Sequence, residues 1–432
     1  MRYLFIHQNM PGQYKHIVGH LAANRKNEVV FITKREDLDL PNVKKLLYKP
    51  HREPSPQTHR YLIGAERGVL HAQQVARLCI DLQTKGWKPD IIVGHPGWGE
   101  MLYVKDIWPD VPVLAFFEFY YRGRGADVGF DPAEQPNIDD LCRIRSKNFV
   151  NDVSLNLCDA GMSPTLWQFS QLPDEYKYKV SVIHDGIDTR TCAPDPQATL
   201  TLPNGRTLTR ADEVITYCVR NFEPYRGFPT FIKAVELIHK RRPNAQVVAI
   251  GADGVSYGKP LPDGKHYRHE ALKQVQVDKD RLHFIGSVPY ETFLKVIKVS
   301  QAHIYLTYPF VLSWSMLESM SAGCLLIGSK TPPVEEIITD RENGLLVDFF
   351  SPEQVADRVD EVFEHPDRMA ELRHRARETV VDRYDLEKCL GRQLTLIKNL
   401  VLGHRPIMPK GDFKPGQPDY ARPAPLLKKA AG

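Results

Sequence analysis

Short apolar runs recur along this chain, and most of them lead through a loop into a stretch with helical spacing. The first run, Tyr3–Ile6, passes through the loop His7–Gly12 into a helix predicted near Tyr14–Ala23. Runs that are apolar at nearly every position are typical of parallel strands covered on both faces. The repeated pattern therefore predicts doubly wound α/β folding.

The pattern runs through the first half of the chain, stops, and then restarts. Residues Ala193–Arg210 are rich in Pro, Thr and Asp and predict a linker with a hairpin. Further strands are predicted over Val29–Thr33, Ile91–Gly94, Val113–Phe117, Leu155–Leu157, Val180–Ile183, Val214–Val219, Ala245–Ile250, His283–Ile285, His303–Leu306, Cys324–Ile327 and Leu345–Val347. Helices are predicted over Arg60–Lys85, Phe228–Arg241, Tyr290–Val299, Ser315–Ala322, Pro352–Phe363 and Met369–Asp382.

A chain of 432 residues is too long for one ordinary core. We therefore expect two Rossmann-like domains that face a central cleft, over residues 1–190 and 191–385. We predict that residues 386–403 form a helix that packs back towards the first domain. Residues 404–432, rich in Pro, Lys and Gly, predict a disordered tail.

The composition of the chain limits the classes of function that we expect for it. The net charge of +4 is too weak to indicate a dedicated nucleic-acid binder, although it suits an anionic ligand such as a nucleotide. The seven cysteines are odd in number and show no C-x-x-C spacing, which favours free thiols in a reducing compartment. The apolar run at residues 3–6 is shorter than we expect for a signal peptide, and the sequence contains no apolar run of about 18 residues. We expect a cytoplasmic protein and leave peripheral contact with the inner membrane face open.

Two arginines bracket a turn at the end of one predicted strand. Strand Val214–Val219 is followed by Arg220, and Arg226 with Gly227 precedes the next predicted helix. The carboxyl ends of parallel strands are where ligands bind, so cations here would suit a diphosphate. The alternative is that both are solvated surface arginines.

A second segment, Tyr308–Ser329, combines a turn of small residues, a helix and a buried strand. Backbone amides at the helix start near Ser313 and Ser315 are suited to phosphate oxygens. Glu318, one turn into the helix, is suited to ribose hydroxyls. The alternative is a surface glutamate that only complements the helix dipole.

The order of these motifs resembles that of the retaining family 4 glycosyltransferases of the GT-B fold. In that family the position of Arg226 is usually Lys, and Glu318 corresponds to the second of two motif glutamates. The similar segments are Val182–Asp188, Arg220–Gly227, Phe284–Val288, Tyr308–Ile327 and Val334–Val347. The resemblance adds Gly286 to the predicted nucleotide-binding residues.

Two departures from the family pattern affect the expected site. The first motif glutamate, which contacts the donor sugar in the family, is replaced by Phe310. The family's histidine after the strand matching Val113–Phe117 is replaced by Glu118. We predict a catalytic role for Glu118, with an ordinary loop residue as the alternative.

Three weaker candidates lie in the first half. His95 follows a predicted strand and is assigned to the catalytic set, with a packing histidine as the alternative. Gly12 and its loop are expected to offer amides to the diphosphate. The basic and aromatic stretch Tyr120–Gly125, with Arg143, Arg145 and Lys147, suits an anionic or sugar acceptor or is simply solvated. A metal site is not predicted, either at the pair Asp37 and Asp39 or at the pair His16 and His20.

Taken together, the resemblance implies a retaining transferase that moves a sugar from a UDP- or GDP-sugar to a hydroxyl, without metal or cofactor. Acceptor hydroxyl attack on the front face, with the leaving phosphate taking the proton, is the mechanism usually given for the family. A saccharide or lipid-linked acceptor in bacterial polysaccharide or glycoconjugate synthesis is expected, and nucleic acid is not. The alternatives are a non-catalytic sugar-nucleotide-binding protein, an epimerase or a phosphorylase of the same fold.

Overall fold

The computed structural model describes residues 1–406 and 426–427. The chain divides into two compact units. Unit 1 comprises Met1–Asp185 together with the chain from Glu387 onwards, and unit 2 comprises Gly186–Leu386. Apart from residues 404–406 and 426–427, the predicted tail lies outside the described residues.

Unit 1 is built on strands that alternate with helices. Its strands are β1 (Arg2–Ile6), β2 (Glu28–Thr33), β3 (Val43–Leu47), β4 (Ile91–Gly94), β5 (Val113–Phe116), β6 (Ala160–Ser163) and β7 (Val180–Val182). Its helices are α1 (Lys15–Ala23), α2 (Ile63–Thr84), α3 (Val104–Ile107), α4 (Ile138–Lys147), α5 (Phe149–Leu157), α6 (Leu166–Ser170) and α7 (Asp174–Lys177). Short 3-10 turns cover Gly12–Tyr14 and Pro96–Trp98.

The sheet of unit 1 is wholly parallel, in the order β3-β2-β1-β4-β5-β6-β7. Strands β1, β4 and β5 are apolar because both faces of the sheet are covered, and Leu4, Phe5 and Val113 are fully buried. From β1 the chain builds the sheet first in one direction and then, from β4, in the other. The crevice beyond β1 and β4 is therefore the expected ligand site of this unit.

Unit 2 repeats this plan after an antiparallel hairpin of β8 (Thr199–Thr201) and β9 (Thr207–Thr209), as predicted from the linker composition. Its sheet contains β10 (Val214–Asn221), β11 (Gln246–Ala252), β12 (Leu282–Gly286), β13 (Ala302–Tyr305), β14 (Leu325–Ser329) and β15 (Leu345–Val347). Its helices are α8 (Phe228–Arg241), α9 (Tyr267–Leu272), α10 (Tyr290–Val299), α11 (Trp314–Ser321), α12 (Pro332–Glu335), α13 (Pro352–Glu364) and α14 (Pro366–Tyr384), with 3-10 turns over Pro224–Arg226 and Pro262–Gly264.

The second sheet is also parallel, in the order β12-β11-β10-β13-β14-β15. Its strand order reverses between β10 and β13. The residues that follow these two strands therefore lie at the ligand-binding edge of unit 2. These are the segments that contain the predicted arginines and the predicted helix start.

The final helix, α15 (Leu386–Val401), lies along unit 1 for nearly all its length. Its residues Leu396, Ile397 and Leu400 are buried against the apolar cluster around β1 and α1. Gln393 Nε2 also donates a hydrogen bond to the carbonyl of His184 at 3.1 Å. Beyond it, Arg405–Pro406 pairs with Leu426–Leu427 as the short strands β16 and β17.

One predicted strand is wrong, and the strands β3, β6, β16 and β17 were not predicted. Leu155–Leu157 is the end of helix α5, and the strand lies just beyond it as β6. The alternation of apolar and polar residues at the end of α5 imitates the period of a strand. Strand β6 instead contains Gly161, where a Cβ would lie 2.7 Å from a methyl carbon of Val180. Strand β3 was not predicted because it is an edge strand of partly exposed residues.

All seven cysteines are free thiols, and only Cys142 among them is exposed. None of the helices in the described part of the chain has both the length and the apolar character needed to span a bilayer.

Gly99 is required by a close contact between the turn Pro96–Trp98 and helix α2. It has a φ of 93°, and an added Cβ would lie 2.4 Å from the Cα of Gly68. We predict that Gly99→Ala lowers the free energy of unfolding by roughly 3 kcal/mol or more, measured by urea titration.

The matched control is Gly86→Ala. Gly86 has a φ of 74° but no atom within 4 Å of the added carbon. Backbone strain alone costs about 1–2 kcal/mol. Equal losses in the two variants would show that the contact with helix α2 contributes nothing.

Candidate functional site

Three neighbouring strands of unit 1 end at polar side chains. His7 follows β1, His95 follows β4, and Glu118 lies two residues beyond β5. The backbone amide of His95 donates to the carbonyl of Ile6 at 3.1 Å, so the ladder keeps the first two ends in register. The predicted residues His95 and Glu118 are brought together at this edge.

Glu118 is the acidic group of the cluster. Gln13 Nε2 donates a hydrogen bond to Glu118 Oε1 at 3.0 Å. His95 Nε2 lies 3.5 Å from Glu118 Oε2, at the outer limit of a hydrogen bond, so this attraction is mainly electrostatic. The Glu118 side chain is 34% exposed, while that of His95 is only 4% exposed. Oε1 therefore has one protein donor, while His95 Nε2 has no hydrogen-bond partner among the described residues, and both carboxylate oxygens keep a lone pair for a ligand.

Backbone amides set the tautomers of both histidines. The amide of Gly97 donates to His95 Nδ1 at 3.1 Å, which leaves the proton of the neutral ring on Nε2, facing Glu118. The amide of Asn9 donates to His7 Nδ1 at 2.8 Å, and His7 Nε2 donates to Gln13 Oε1 at 2.9 Å. His7 and Gln13 were not predicted as site residues, although His7 directly follows the first predicted strand.

The electrostatics keep Glu118 charged and His7 neutral. Burial, helped by His95, lowers the pKa of His7 to about 3. Burial acts to raise the pKa of Glu118, but its interactions with His95, His7 and Gln13 outweigh the effect of burial, so the pKa of Glu118 is lowered. At neutral pH the cluster offers a carboxylate that can only accept hydrogen bonds.

Gly12 and Trp98 shape the surroundings of His7. Gly12 has a φ of 52°, and an added Cβ would lie 2.7 Å from His7 Nε2. The Trp98 ring lies 5.1 Å from the ring of His7 and 4.5 Å from that of His95, measured between centroids. Gly12 thus lets its loop approach His7 closely, and its contact with a diphosphate stays a prediction.

In unit 2, Arg220 lies in a β-bulge at the end of β10. The strand pairs Cys218 with Ile250 and Asn221 with Ala252, so β10 has one more residue than β11 between these pairs. Bulges redirect side chains at the ends of strands. Arg220 is exposed, and within residues 1–406 no hydrogen bond or ion pair holds its guanidinium. Its charge is available to an anionic ligand.

Arg226 is different, because it is only 6% exposed. Its Nη1 donates to Tyr305 Oη at 3.2 Å, to Thr307 Oγ1 at 2.7 Å and to the carbonyl of Val311 at 3.1 Å. Its guanidinium also lies 5.1 Å from the centre of the Tyr257 ring. No carboxylate of the described residues forms an ion pair with it. Arg226 therefore holds the loop after β13 and adds a buried positive charge behind it.

The predicted helix start lies beside Arg226. The amide of Ser313 donates to Tyr305 Oη at 2.8 Å, so one hydroxyl links Arg226 to the first turn of α11. The amide of Ser315 donates to Ser313 Oγ at 3.3 Å, which caps the helix. These two amides are thus already bonded, and the Ser313 and Ser315 hydroxyls, 2.9 Å apart, form a hydrogen bond with each other. Tyr305 was not predicted as a site residue, because it lies within the apolar run His303–Leu306 that predicts a strand.

Glu318 lies one turn into α11 and is half-buried. Tyr290 Oη donates a hydrogen bond to Glu318 Oε1 at 2.8 Å. Burial and the neighbouring Glu318 raise the pKa of Tyr290, so its hydroxyl keeps its proton. Glu318 is therefore arranged to accept hydrogen bonds from hydroxyl groups, as its predicted role requires.

Phe310, which replaces the family's first glutamate, belongs to an aromatic cluster. Its ring lies 5.1 Å from the ring of Tyr257 and 5.7 Å from that of Tyr225, and the side chain is 8% exposed. Tyr257 is held by Glu223, whose buried carboxylate accepts hydrogen bonds from the amides of residues 256–258 at 3.0–3.1 Å. A carboxylate is thus replaced by apolar surface at this point.

The remaining predicted residues lie apart from these groups. Gly286 ends β12, two strands away from β10, and has a φ of 73°. Arg122 is used to hold the carbonyls of Gln171 and Leu172 at 2.7 and 3.0 Å. Asp37 pairs with Arg35, and Asp39 lies 2.8 Å from Lys45 Nζ. Within the described residues, no group of three acidic, histidine or cysteine side chains is placed to hold a metal.

The two arginines should differ in their effect on stability. We predict that Arg226→Ala lowers the free energy of unfolding by roughly 2–4 kcal/mol, because it removes a buried side chain and three hydrogen bonds. Arg220→Ala should change it by about 0.5 kcal/mol or less, because Arg220 is exposed. Urea unfolding of both variants checks this, and similar losses would contradict the assigned difference.

Known families match both halves of the chain. Residues 25–192 match the family described as "Glycosyl transferase family 4 group", and residues 205–379 match "Glycosyl transferases group 1". Among curated proteins, a D-inositol 3-phosphate glycosyltransferase of Corynebacterium glutamicum is 25% identical over 182 residues, 42% of this chain. An uncharacterized glycosyltransferase of Methanocaldococcus jannaschii is 23% identical over 181 residues. The chain matches only 42% and 43% of the lengths of these two relatives.

Solved structures share the fold at low sequence identity. Anabaena HepE in complex with UDP-glucose superposes with a TM-score of 0.66 at 11% identity, over 92% of this chain and 100% of that one. A sucrose-phosphate synthase of Thermosynechococcus elongatus gives 0.68 at 15% identity, over 93% and 99%. The two parallel Rossmann-like sheets are therefore those of the GT-B fold. With both family matches covering most of its length, this chain belongs to the family 4 type of GT-B glycosyltransferases.

Proposed function

We propose that the protein transfers a sugar from a nucleoside-diphosphate sugar to a hydroxyl of an acceptor. The observation that carries this proposal is the exposed, unpaired Arg220 on the bulge of β10, at the strand-order reversal of unit 2. Arg226, in the turn after β10, is linked through Tyr305 on the adjoining strand β13 to Ser313 in the loop that follows it. A diphosphate needs this combination of accessible and buried positive charge beside a helix start.

In this proposal each group of unit 2 has one task. Arg220 neutralises the diphosphate as the bond to the sugar breaks, and the Ser313 and Ser315 hydroxyls bind its oxygens. Glu318 accepts hydrogen bonds from the ribose hydroxyls. Two arginines supply the charge for which other enzymes use a metal, so the reaction is proposed to be metal-independent. HepE, a protein of the same fold, was solved with UDP-glucose, which supports UDP as the first nucleotide to test.

Unit 1 is proposed to receive the acceptor at Glu118 and His95. The sugar–phosphate bond breaks, the acceptor oxygen bonds to the same face of the anomeric carbon, and the departing phosphate oxygen takes the acceptor's proton. The products are the nucleoside diphosphate and a glycoside of retained configuration. Phe310 removes a carboxylate from the family pattern, so the identity of the donor sugar is not carried over. Polysaccharide or glycoconjugate synthesis is the proposed setting.

The donor site is tested by thermal shift with UDP, GDP, ADP and their glucose conjugates. A ligand that binds only the folded state raises its melting temperature. We predict that one nucleotide series stabilises the protein, and that Arg220→Ala weakens its binding at least about tenfold, because one charge-assisted contact contributes roughly 1.5–3 kcal/mol.

The control is Arg206→Ala, which removes another exposed arginine of unit 2, in the turn between β8 and β9. It should leave nucleotide binding unchanged. Equal nucleotide affinity in Arg220→Ala and the unaltered protein would refute the donor site. Binding without hydrolysis or transfer of the sugar would instead identify a non-catalytic sugar-nucleotide-binding protein.

A further inference from the structure

The cluster in unit 1 has an arrangement that the family resemblance does not explain. A chain of donors runs from the amide of Asn9 through His7 and Gln13 to Glu118 Oε1, over contacts of 2.8, 2.9 and 3.0 Å. Each hydrogen bond of this chain fixes the direction of the next one. Because Asn9 takes the acceptor nitrogen of His7, the other nitrogen must donate, and this makes Gln13 present its carbonyl to His7 and its NH₂ to Glu118.

The second oxygen of Glu118 is approached by the ring of His95. The amide of Gly97 donates to Nδ1 of His95, and Nε2 of this ring lies 3.5 Å from Glu118 Oε2 without a hydrogen-bond partner among the described residues. No lysine or arginine of the described residues forms an ion pair with Glu118. The carboxylate is therefore positioned mainly by the amide of Gln13, and a third of its side chain remains exposed.

We propose that Glu118 binds a non-reacting hydroxyl of a polyhydroxy acceptor, and that His7, acting through Gln13, is a positioning residue for this carboxylate. The proposal rests on the transferase function proposed above. A carboxylate that can only accept hydrogen bonds, with one lone pair free on each oxygen, matches a hydroxyl donor and repels a phosphate. The acceptor would therefore be a neutral diol or saccharide at this point, with its second hydroxyl beside the reacting one. In hydrolysis, where water is the acceptor, the second hydrogen of the water bonds to Glu118 in place of the second hydroxyl.

The titratable groups that face Glu118 come from four segments. They are His7 after β1, Tyr14 in the turn before α1, His95 after β4 and Tyr121 in the loop after β5. Burial raises the pKa of both tyrosines and lowers that of His7 to about 3, so these three do not change charge between pH 4 and 9. None of these three groups therefore produces an acid limb in that range.

The test is the pH profile of hydrolysis of the nucleotide sugar that gives the largest thermal shift. Gln13→Leu removes one donor to Glu118, which raises its pKa, so the acid limb of kcat/KM should move to higher pH. At pH 7.5 kcat should fall about tenfold, the effect of losing one hydrogen bond to a charged group. KM for the nucleotide sugar should hardly change.

Two further variants separate positioning from folding. His7→Phe should give the same shift as Gln13→Leu, and the double variant should be no worse than Gln13→Leu alone, because His7 acts through Gln13. Gln83→Leu is the matched control, since Gln83 donates one hydrogen bond to the carbonyl of Ile107, away from the cluster. It should leave the pH profile unchanged.

The outcomes are distinct from those of the proposed function. If the unaltered protein neither binds nor hydrolyses any nucleotide sugar, the transferase proposal itself fails. If it does hydrolyse one, but Gln13→Leu keeps the original acid limb, the positioning role is wrong. Additive losses from His7→Phe and Gln13→Leu would also overturn it.

Discussion

The ligand-binding edge of unit 2 depends on the hydrogen bonds that the buried guanidinium of Arg226 donates. Burying a charge is unfavourable unless hydrogen bonds replace its water, and Tyr305, Thr307 and Val311 supply these bonds. All three acceptors belong to β13 or the loop after it, so satisfying the charge also fixes that loop. Tyr305 then passes the constraint to Ser313 and the start of α11. The same contact thus keeps a positive charge close to the edge and sets where the helix begins.

The two units use the same edge of the fold for opposite electrostatic purposes. At the strand-order reversal of unit 2, arginines dominate, and the exposed charge of Arg220 is turned outwards by a bulge. Beside the corresponding reversal of unit 1, the amide of Gln13 donates to the carboxylate of Glu118, and the ring of His95 lies 3.5 Å from it. Under the proposed function these edges suit different ligands, because a diphosphate is an anion and a polyol is a donor of hydrogen bonds. The division between the units follows from which residues each strand end carries.

The sequence predicted most of this fold because strands covered on both faces leave apolar runs that are hard to mistake. It failed where burial was incomplete or side chains were small, as in the edge strand β3 and in β6, whose Gly161 packs against Val180. Arg220 and Arg226 look alike in the sequence, since both flank one turn, yet one is exposed and the other buried. The bulge of β10 leaves Arg220 exposed, whereas Arg226 is buried by the loop after β13, which is far from it along the chain.

The sequence by itself determined the repeated β–α order, the two parallel sheets and the family, because these depend on periodicity and on motifs local in the chain. It also placed His95 and Glu118 after strands, where ligands bind. The tertiary structure alone decided that these two side chains meet, that His7 and Gln13 orient the carboxylate, and that Tyr305 joins Arg226 to α11. Hydrogen-bond direction and burial depend on which strand ends become neighbours, and parallel strands become neighbours only once the chain has folded.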